Sequence, residues 1–298
     1  MSSCSAPSES AAGRRSGAAR ALLLLAVAAA ALSAGAAAEE KAPDAQLVLR
    51  ALAAELHNVP SGQHPMRYRL RKSSPRLATT KDIVESKDGA VARLIAVNDK
   101  PLSALDEQKE QDRLSGLLAD PARQRSRKQS QDADMGRVLK VLRVLPDAFL
   151  YTYAGTAQGP AGRVEKFSFV PNPKFDPPDL ETQVLTAMTG EICIDPAQER
   201  VMRLEGRLSH DVDYGWGLLG RLYKGGWITI DQADVGGRQW RIVRFQMSIN
   251  GRVLFKTRNF DTTEEESHFA PVPAGMGYTQ AIEMLRGGQA KQELAGSR

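Results

Sequence analysis

The sequence predicts an α+β fold: a curled antiparallel half-barrel sheet of about ten strands with covering helices and a helical insert. Apolar and polar residues alternate with a period of two in many short segments after residue 65, and turn residues separate these segments. Apolar residues recur at helical spacing at the start of the chain, in one insert and at the end of the chain. Because strands do not alternate regularly with helices, we expect an antiparallel sheet, and because twist accumulates across so many strands, we expect it to curl.

The first 38 residues are typical of an export signal. Basic residues come first, then an apolar run, then small residues: Arg14, Arg15 and Arg20, residues 21–32, and residues 36–38. We expect general secretion and cleavage after Ala38, with retention as an anchor as the alternative. The apolar core is shorter than the roughly 20 residues that span a bilayer. Cys4 precedes this core, so it is not placed where a lipoprotein signal is cleaved.

The protein is therefore predicted to be periplasmic or secreted, without a transmembrane span after cleavage. Cleavage would leave Cys193 as its one cysteine, so no internal disulfide is expected. The full chain carries 40 basic and 35 acidic residues, a net charge of +5. Because this excess is small and three of the arginines belong to the signal, a nucleic-acid partner is not expected. We predict one domain at 39–286 and a polar tail at 287–298.

The first part of this domain is predicted to hold a helix, three strands and the insert. Apolar residues recur at helical spacing from Pro43 to Leu56, and Met66, Tyr68 and Leu70 then alternate with arginines. An Asp-Gly turn at 88–89 predicts a hairpin between 81–86 and 90–97.

The insert at 101–145 changes from strand to helix periodicity. Leucines keep helical phase at its start and at its end, but residues 122–134 are almost devoid of apolar side chains. A helix that is polar all round does not bury an apolar face, so this segment is expected to be a projecting arm or a frayed linker.

Strands resume after Pro146. The predicted strands are 149–154, 163–170, 191–195, 200–208, 227–230, 238–249 and 252–260, followed by a helix at 279–285. Asn250-Gly251 is the strongest hairpin signal in the chain and predicts a turn between the last two strands. Within 200–208, alternation predicts that Met202, Leu204, Gly206 and Leu208 face the core.

This layout resembles the LolA/LolB-like superfamily of periplasmic lipoprotein carriers. The resemblance rests on the predicted hairpin of 190–196 and 200–206, and on the order of the Trp227 strand, the Trp240 strand, the Asn250-Gly251 turn and the Phe269-Ala270-Pro271 exit. It extends from Leu47 to Pro273 and implies the fold and a binding cavity. The insert is longer and more charged than in a typical carrier, and no carrier residue matches position by position.

The chain also resembles bacterial exported proteins of unknown function that share the organisation of residues 146–222. The shared pieces include Phe175-Asp176-Pro177-Pro178 and the segment 217–222. This second resemblance implies no activity.

Aromatic and leucine side chains are the candidates for contact with a ligand. Phe167, Phe169, Trp227, Phe245 and Phe255 lie in predicted strands and are candidate cavity walls. Trp216, Leu218 and Leu219 lie in a glycine-rich segment that is predicted to be a flexible lip, closing over an apolar ligand or inserting at a membrane surface. Ordinary core packing is the alternative for both groups.

Catalytic and metal sites are not predicted. His210 with Asp211 or Asp213 is the densest group of reactive side chains, but no third metal ligand lies nearby in sequence, and such residues are common in turns. Neither a Gly-x-Ser-x-Gly elbow nor a Walker loop occurs. No cofactor is expected, and Cys193 is expected to be a structural thiol.

We therefore expect a non-enzymatic protein that binds a lipid, an acyl chain or a lipoprotein in an apolar cavity. The alternative is an envelope scaffold or sensor that captures a protein partner with the basic run of the insert: Arg123, Arg125, Arg127 and Lys128.

Overall fold

A computed structural model describes residues 44–58, 64–159, 162–215, 219–254 and 256–296, with side chains up to residue 287. It confirms the predicted fold class, since one antiparallel sheet that is not closed into a barrel is combined with four α-helices in these residues. The predicted signal segment and its cleavage site at Ala38 lie outside the described residues.

The first half of the chain supplies one edge of the sheet and three of the helices. Its elements are α1 (Gln46–Asn58), β1 (Met66–Ser73), β2 (Ala78–Val84), β3 (Val91–Val97), β4 (Lys100–Pro101), α2 (Ala104–Ala119) and α3 (Pro121–Ala148). The helices α2 and α3 occupy the predicted helical insert.

The second half supplies the other nine strands. Its elements are β5 (Phe149–Gly159), β6 (Gly162–Pro171), a 3-10 helix (Gln183–Ala187), β7 (Met188–Asp195), β8 (Arg200–Leu208), β9 (Val212–Tyr214), β10 (Gly220–Leu222), β11 (Trp227–Asp234), β12 (Trp240–Val253), β13 (Lys256–Pro271) and α4 (Tyr278–Gly296). The last helix thus continues through most of the predicted polar tail.

The strand order brings the two halves of the chain together in the middle of the sheet. The order is β4-β3-β2-β1-β13-β12-β11-β8-β7-β6-β5, and β9 and β10 are attached to the side of β12. The pairing of β1 with β13 joins the halves. One edge of the curled sheet is therefore formed by β3 and β4, and the opposite edge by β5.

Across β6, β7, β8, β11 and β12, alternation gives the sheet an apolar inner face. Directly paired residues share a face, and Phe167, Ile192, Leu204, Ile230 and Phe245 are paired in succession across β6, β7, β8, β11 and β12. On the outer face, ion pairs link neighbouring strands: Lys166 with Glu191, Arg203 with Asp231, and Arg71 with Glu265.

Helix α1 and the last turns of α3 cover the inner face over β5 to β8. Leu52 of α1 and Leu145 of α3 belong to the same buried cluster as Phe167, Phe169 and Ile192. Covering helices of this kind remove the apolar face of a sheet from water, which is the main favourable contribution to folding.

A buried ion pair anchors α1 to β8. The Arg200 guanidinium donates two hydrogen bonds of 2.9 Å to the Glu55 carboxylate, and the backbone N–H of Val201 donates a third. The Arg200 guanidinium also lies 5.5 Å from the ring centroid of Trp240. Because both charges are buried and their hydrogen bonds are satisfied, the pair holds α1 in one position on the sheet.

A second apolar cluster lies at the other end of the sheet, where α2 and α4 pack. Val84 and Val91 contact leucines of α2 and the apolar side of α4. These two valines are paired with each other and with Arg67, so this cluster lies on the outer face.

The expectation that 122–134 projects or frays is wrong. This segment belongs to the continuous helix α3, and Gln124 is buried, with its side-chain amide donating to the carbonyl of Asp88 at 2.8 Å. Gln131, two turns later, accepts from the N–H of Ala90 at 2.9 Å and donates to its carbonyl at 3.1 Å. The segment covers a strand edge rather than an apolar face, and an edge presents backbone polar groups.

Helix α2 completes this edge. Glu110 accepts a 2.8 Å hydrogen bond from the N–H of Leu94, and Arg113 donates to the carbonyl of Ala92 at 2.6 Å. The C=O of Ala92 and the N–H of Leu94 are thus paired with helix side chains, whereas Ala96 and Val97, further along β3, pair with β4.

The predicted turn at Asn250-Gly251 is also wrong. Strand β12 continues through both residues, which pair with Asn259 and Arg258, and the pairing of β12 with β13 extends to Val253 and Lys256. A Cβ on Gly251 would lie only 2.8 Å from the carbonyl oxygen of Arg221. The glycine therefore serves the close approach of β10 rather than a turn.

Candidate functional site

The inner face carries an apolar strip that the helices leave partly uncovered. We call Leu204, Ile230 and Phe245 the inner strip, because they lie side by side on β8, β11 and β12. All three are half-buried, whereas Ile192 and Phe167 in the same row are buried under α1. Ile228 and Met247 are paired on the same face and widen the strip. The apolar row thus extends beyond its helical cover.

Local sequence explains why these side chains share a face. The prediction that Leu204 and Leu208 point to the core is confirmed, since Leu204 packs against the α1 cluster and Leu208 is buried. A register shift between β7 and β8 also brings Val201 into that cluster, which strict alternation assigned to the other face. A bulge of this kind turns one additional side chain inward.

The strip ends at a group of charged residues on β13 and β1. Glu264 is paired with Phe245 on one side and with Lys72 on the other, and its carboxylate lies 2.6 Å from the Lys72 ammonium. Glu266, two residues further along β13, is paired with Leu70. The strip therefore passes from aliphatic and aromatic side chains to carboxylates within two strands.

Glu266 is the most perturbed carboxyl in this region. Burial is the main reason that its pKa is raised to about 7; Arg241 opposes the shift, and the neighbouring Glu85 and Glu264 add to it. Burial also raises the pKa of Tyr68, with Glu266 as the next cause. A carboxyl in this environment is partly protonated near neutral pH.

An ion pair between Arg241 and Glu85 lies at the charged end of the inner strip. The guanidinium donates to both carboxylate oxygens at 3.0 and 3.1 Å, and the backbone N–H of Met66 donates to the same carboxylate at 2.8 Å. Tyr68 stacks on Phe269 with 5.6 Å between ring centroids. These contacts hold the side chains of Arg241, Glu85 and Tyr68 in place.

A mainly apolar cavity of about 470 Å³ lies at the same end of the sheet. It is formed between the start of β1, the end of β13 and the turn from β11 to β12, and its lining includes Met66, Phe269, Pro271, Val272 and Val235. Its size is within the range of small-molecule sites. A second cavity, of about 330 Å³, contains Trp227 and outer-face residues such as Gln246 and Ser248.

The structure separates the predicted ligand-binding residues. Phe167 and Phe169 are buried under α1, and Phe245 belongs to the inner strip. Trp227 lies on the opposite face, because its neighbour Ile228 shares the face of Phe245. Leu219 is exposed beside the loop at 254. Their binding roles stay predictions, and Trp216, Leu218 and Phe255 lie outside the described residues.

Sequence reasoning missed the polar end of the strip. Tyr68 was assigned to a strand, but its neighbours Glu85, Arg241 and Glu266 come from three other parts of the chain. A run of three glutamates at 264–266 is the one local signal, since alternation places Glu264 and Glu266 on one face. Their burial depends on tertiary pairing.

The reactive group at His210 is held by structural contacts. Asp213 binds the Arg221 guanidinium with distances of 2.5 and 2.9 Å, and Asp211 accepts from the backbone N–H of Lys224 at 2.8 Å. His210 itself is exposed and lies 3.0 Å from the Ser209 hydroxyl. Asp213 thus lies in β9 and binds the neighbouring strand β10, whereas Asp211 binds the loop that precedes β11.

The described residues lack a metal-binding cluster and a membrane-spanning helix. They contain no cluster of three or more His, Cys, Asp and Glu side chains that could hold a metal ion. None of their helices combines the length and the apolar composition needed to cross a lipid bilayer.

Comparison with known proteins gives weak structural neighbours. No protein-family model and no curated protein matches the sequence. An outer membrane lipoprotein-sorting protein domain from Vibrio parahaemolyticus is similar over 79% of this chain and 97% of its own, with 9% identity and a TM-score of 0.28. MucB in complex with MucA(peri) is similar over 78% of this chain and 100% of its own, with 11% identity and a TM-score of 0.23.

Proposed function

We propose that this protein is an exported, non-enzymatic binding protein that holds the acyl chain of a lipid or lipoprotein against the inner strip. One observation supports this more than any other: the apolar row of the inner face continues past α1, where Leu204, Ile230 and Phe245 are half-buried. A contiguous apolar surface on a protein of this size is typical of a binding site.

The chemistry of the strip suits an elongated apolar ligand with a polar end. Each methylene that leaves water gains about 0.8 kcal/mol, so a chain lying along five apolar side chains gains several times that amount. Glu264, Lys72 and Glu266 lie where the apolar side chains end, and they supply hydrogen-bonding groups for a head group. Helix α1 borders the strip and would limit how far the chain extends under it.

A matched pair of substitutions in β12 tests this proposal. Phe245→Gln places a polar amide in the strip, whereas Arg244→Gln changes the next residue, which lies on the exposed outer face. Native mass spectrometry of protein purified from its own envelope should detect a bound lipid in the wild type and in Arg244→Gln, and much less in Phe245→Gln. A consistently empty wild-type protein that also takes up no fluorescent fatty acid would contradict the proposal.

A protein partner captured by the insert is the second candidate function. Arg123 and Arg125 are exposed on either side of the buried Gln124, so α3 presents two cations to solvent while it is held to the sheet. Of the other two cations of the basic run, Lys128 is bound by Asp132. Burial lowers the pKa of Arg127, and the positive charges of Arg113 and Arg123 lower it further. Loss of partner capture in Arg123→Glu/Arg125→Glu, with lipid binding intact, would favour this function over the first.

A further inference from the structure

Strands β12 and β13 extend well beyond the rest of the sheet. Pairing of β11 with β12 ends at Ser248, and pairing of β1 with β13 ends at Thr263. We call the extension, residues 249–254 and 256–262, the hairpin arm. At about 3.3 Å per residue it reaches roughly 20 Å past β1. Among the described residues, the short β10 pairs with its β12 side at residues 251–253, and the N–H of Tyr223 donates to the carbonyl of Asn250 at 2.9 Å.

Three apolar side chains are gathered at the end of the hairpin arm. The N–H of Leu254 donates to the carbonyl of Leu219 at 3.0 Å, and Val253 is paired with Gly220. Leu219, Val253 and Leu254 are nevertheless exposed, to 54%, 48% and 54%. We call these three residues the arm tip. Two loops far apart in sequence thus form one exposed apolar group.

The backbone at the arm tip conflicts with the local sequence. Leu254 has a φ of 52°, in the left-handed region where a Cβ atom is sterically unfavourable. Asn-Gly, the dipeptide best suited to such a turn, occurs four residues earlier and is placed inside β12 instead. A strained, exposed leucine contributes nothing evident to folding, and such conflicts are concentrated at functional positions.

The outer part of the hairpin arm, from residue 249 to residue 260, carries positive charges and no carboxylate, whereas Asp261 lies at its base. From residue 235 to residue 260 the chain contains six cations and no acidic residue. Lys256 and Arg258, which follow the tip directly, are exposed. The nearest carboxylates along the arm and β9 are bound within the protein, Asp261 to Ser248 and Asp213 to Arg221. The arm tip is therefore an apolar group flanked by exposed cations.

We propose that the hairpin arm docks the protein on the surface of an anionic lipid bilayer. The arm tip enters the boundary between head groups and acyl chains, and Lys256 and Arg258 contact lipid phosphates. Apolar burial and attraction to anionic lipid together give reversible surface binding. This surface is distinct from the inner strip, so it goes beyond the proposed ligand-binding function.

Vesicle binding by the full chain tests this. Wild-type protein should co-sediment with vesicles of phosphatidylethanolamine and phosphatidylglycerol, bind vesicles of phosphatidylcholine weakly, and dissociate at high salt. Leu254→Asn should lower the affinity about tenfold, because it removes one leucine from the apolar contact. Its thermal midpoint should be unchanged or higher, because asparagine tolerates the left-handed conformation.

Control variants separate docking from general effects. Leu180→Asn changes another leucine of similar exposure, 52%, away from the arm and should bind vesicles like the wild type. Lys256→Glu/Arg258→Glu should lose the preference for anionic vesicles, and Phe245→Gln should leave vesicle binding intact. Equal binding by wild type and Leu254→Asn, or no binding to anionic vesicles, would overturn the proposal. Salt-resistant binding to phosphatidylcholine at full strength would overturn it as well.

Discussion

The two halves of α3 cover the sheet in opposite ways. Near its end, Leu142 and Leu145 pack on the inner face with α1 and Phe167. Near its start, Gln124 and Gln131 bind the backbone at the β2–β3 turn and the start of β3, and the adjoining α2 adds Glu110. A face offers side chains, whereas an edge offers N–H and C=O groups. The same helix therefore needs an apolar sequence in one place and a polar sequence in the other.

This difference has a consequence for stability. A leucine packed on the face contributes through the apolar area that it removes from water, and its loss leaves a cavity. A glutamine at the edge contributes little net energy by itself, but its loss leaves buried backbone groups without hydrogen bonds. A substitution at the face should therefore cost more free energy of unfolding than one at the edge. At the edge, the cost should depend on whether the new side chain can form the same hydrogen bonds.

The largest effect is expected at the face. Leu145→Ala should lower the free energy of unfolding by about 2–5 kcal/mol, because the side chain is buried between α1 and the sheet. Val138→Ala, an exposed position in the same helix, should change it by less than about 0.5 kcal/mol. Urea denaturation measures both values. Equal costs at the two positions would show that the end of α3 does not pack as described.

A smaller effect is expected at the edge. Gln131→Leu should cost about 1–3 kcal/mol, because leucine cannot pair with the N–H and C=O of Ala90. Gln129→Leu adds the same apolar side chain at an exposed position and serves as the control. Amide exchange at Ala90 should accelerate in Gln131→Leu and not in the control. If Gln131→Leu stabilised the protein, the edge would not depend on polar capping.

The third effect concerns the part of the inner face around Glu266, and it depends on pH. The pKa of Glu266 is about 7 in the folded protein, above its ordinary value of 4.5. Between pH 4.5 and pH 7, this carboxyl therefore binds more protons in the folded protein than in the unfolded protein. Its contribution to the free energy of unfolding should therefore fall as the pH rises from 4.5 to about 7. Glu266→Gln removes that contribution.

Urea midpoints of the wild type and Glu266→Gln at several pH values in this range measure the difference. The advantage of Glu266→Gln over the wild type should increase with pH and level off above about pH 7. A constant difference between the two proteins would mean that Glu266 ionises with its ordinary pKa.

Prediction from the sequence succeeded where one face of an element is apolar. The alternation at the end of β8, where Gly206 and Leu208 are buried and Arg207 is exposed, and the helical spacing in α1 each correspond to a side that the structure buries. Prediction failed at residues 122–134, because a helix that binds a strand edge needs polar side chains and shows no apolar periodicity. It also failed at Asn250-Gly251, because the glycine there allows the close approach of β10 instead of forming a turn. Of the candidate site residues, Phe245 lies in the inner strip, whereas Trp227 lies on the other face.

The sequence by itself therefore determined the element types, the antiparallel class of the sheet and its apolar alternation, because these depend on residues close together in the chain. Only the tertiary structure decided which strands are neighbours, where α1 stops covering the inner face, and which side chains meet at Glu266 and at the arm tip. These features join residues that are tens to hundreds of positions apart. Their positions follow from strand order and register, which local patterns do not encode.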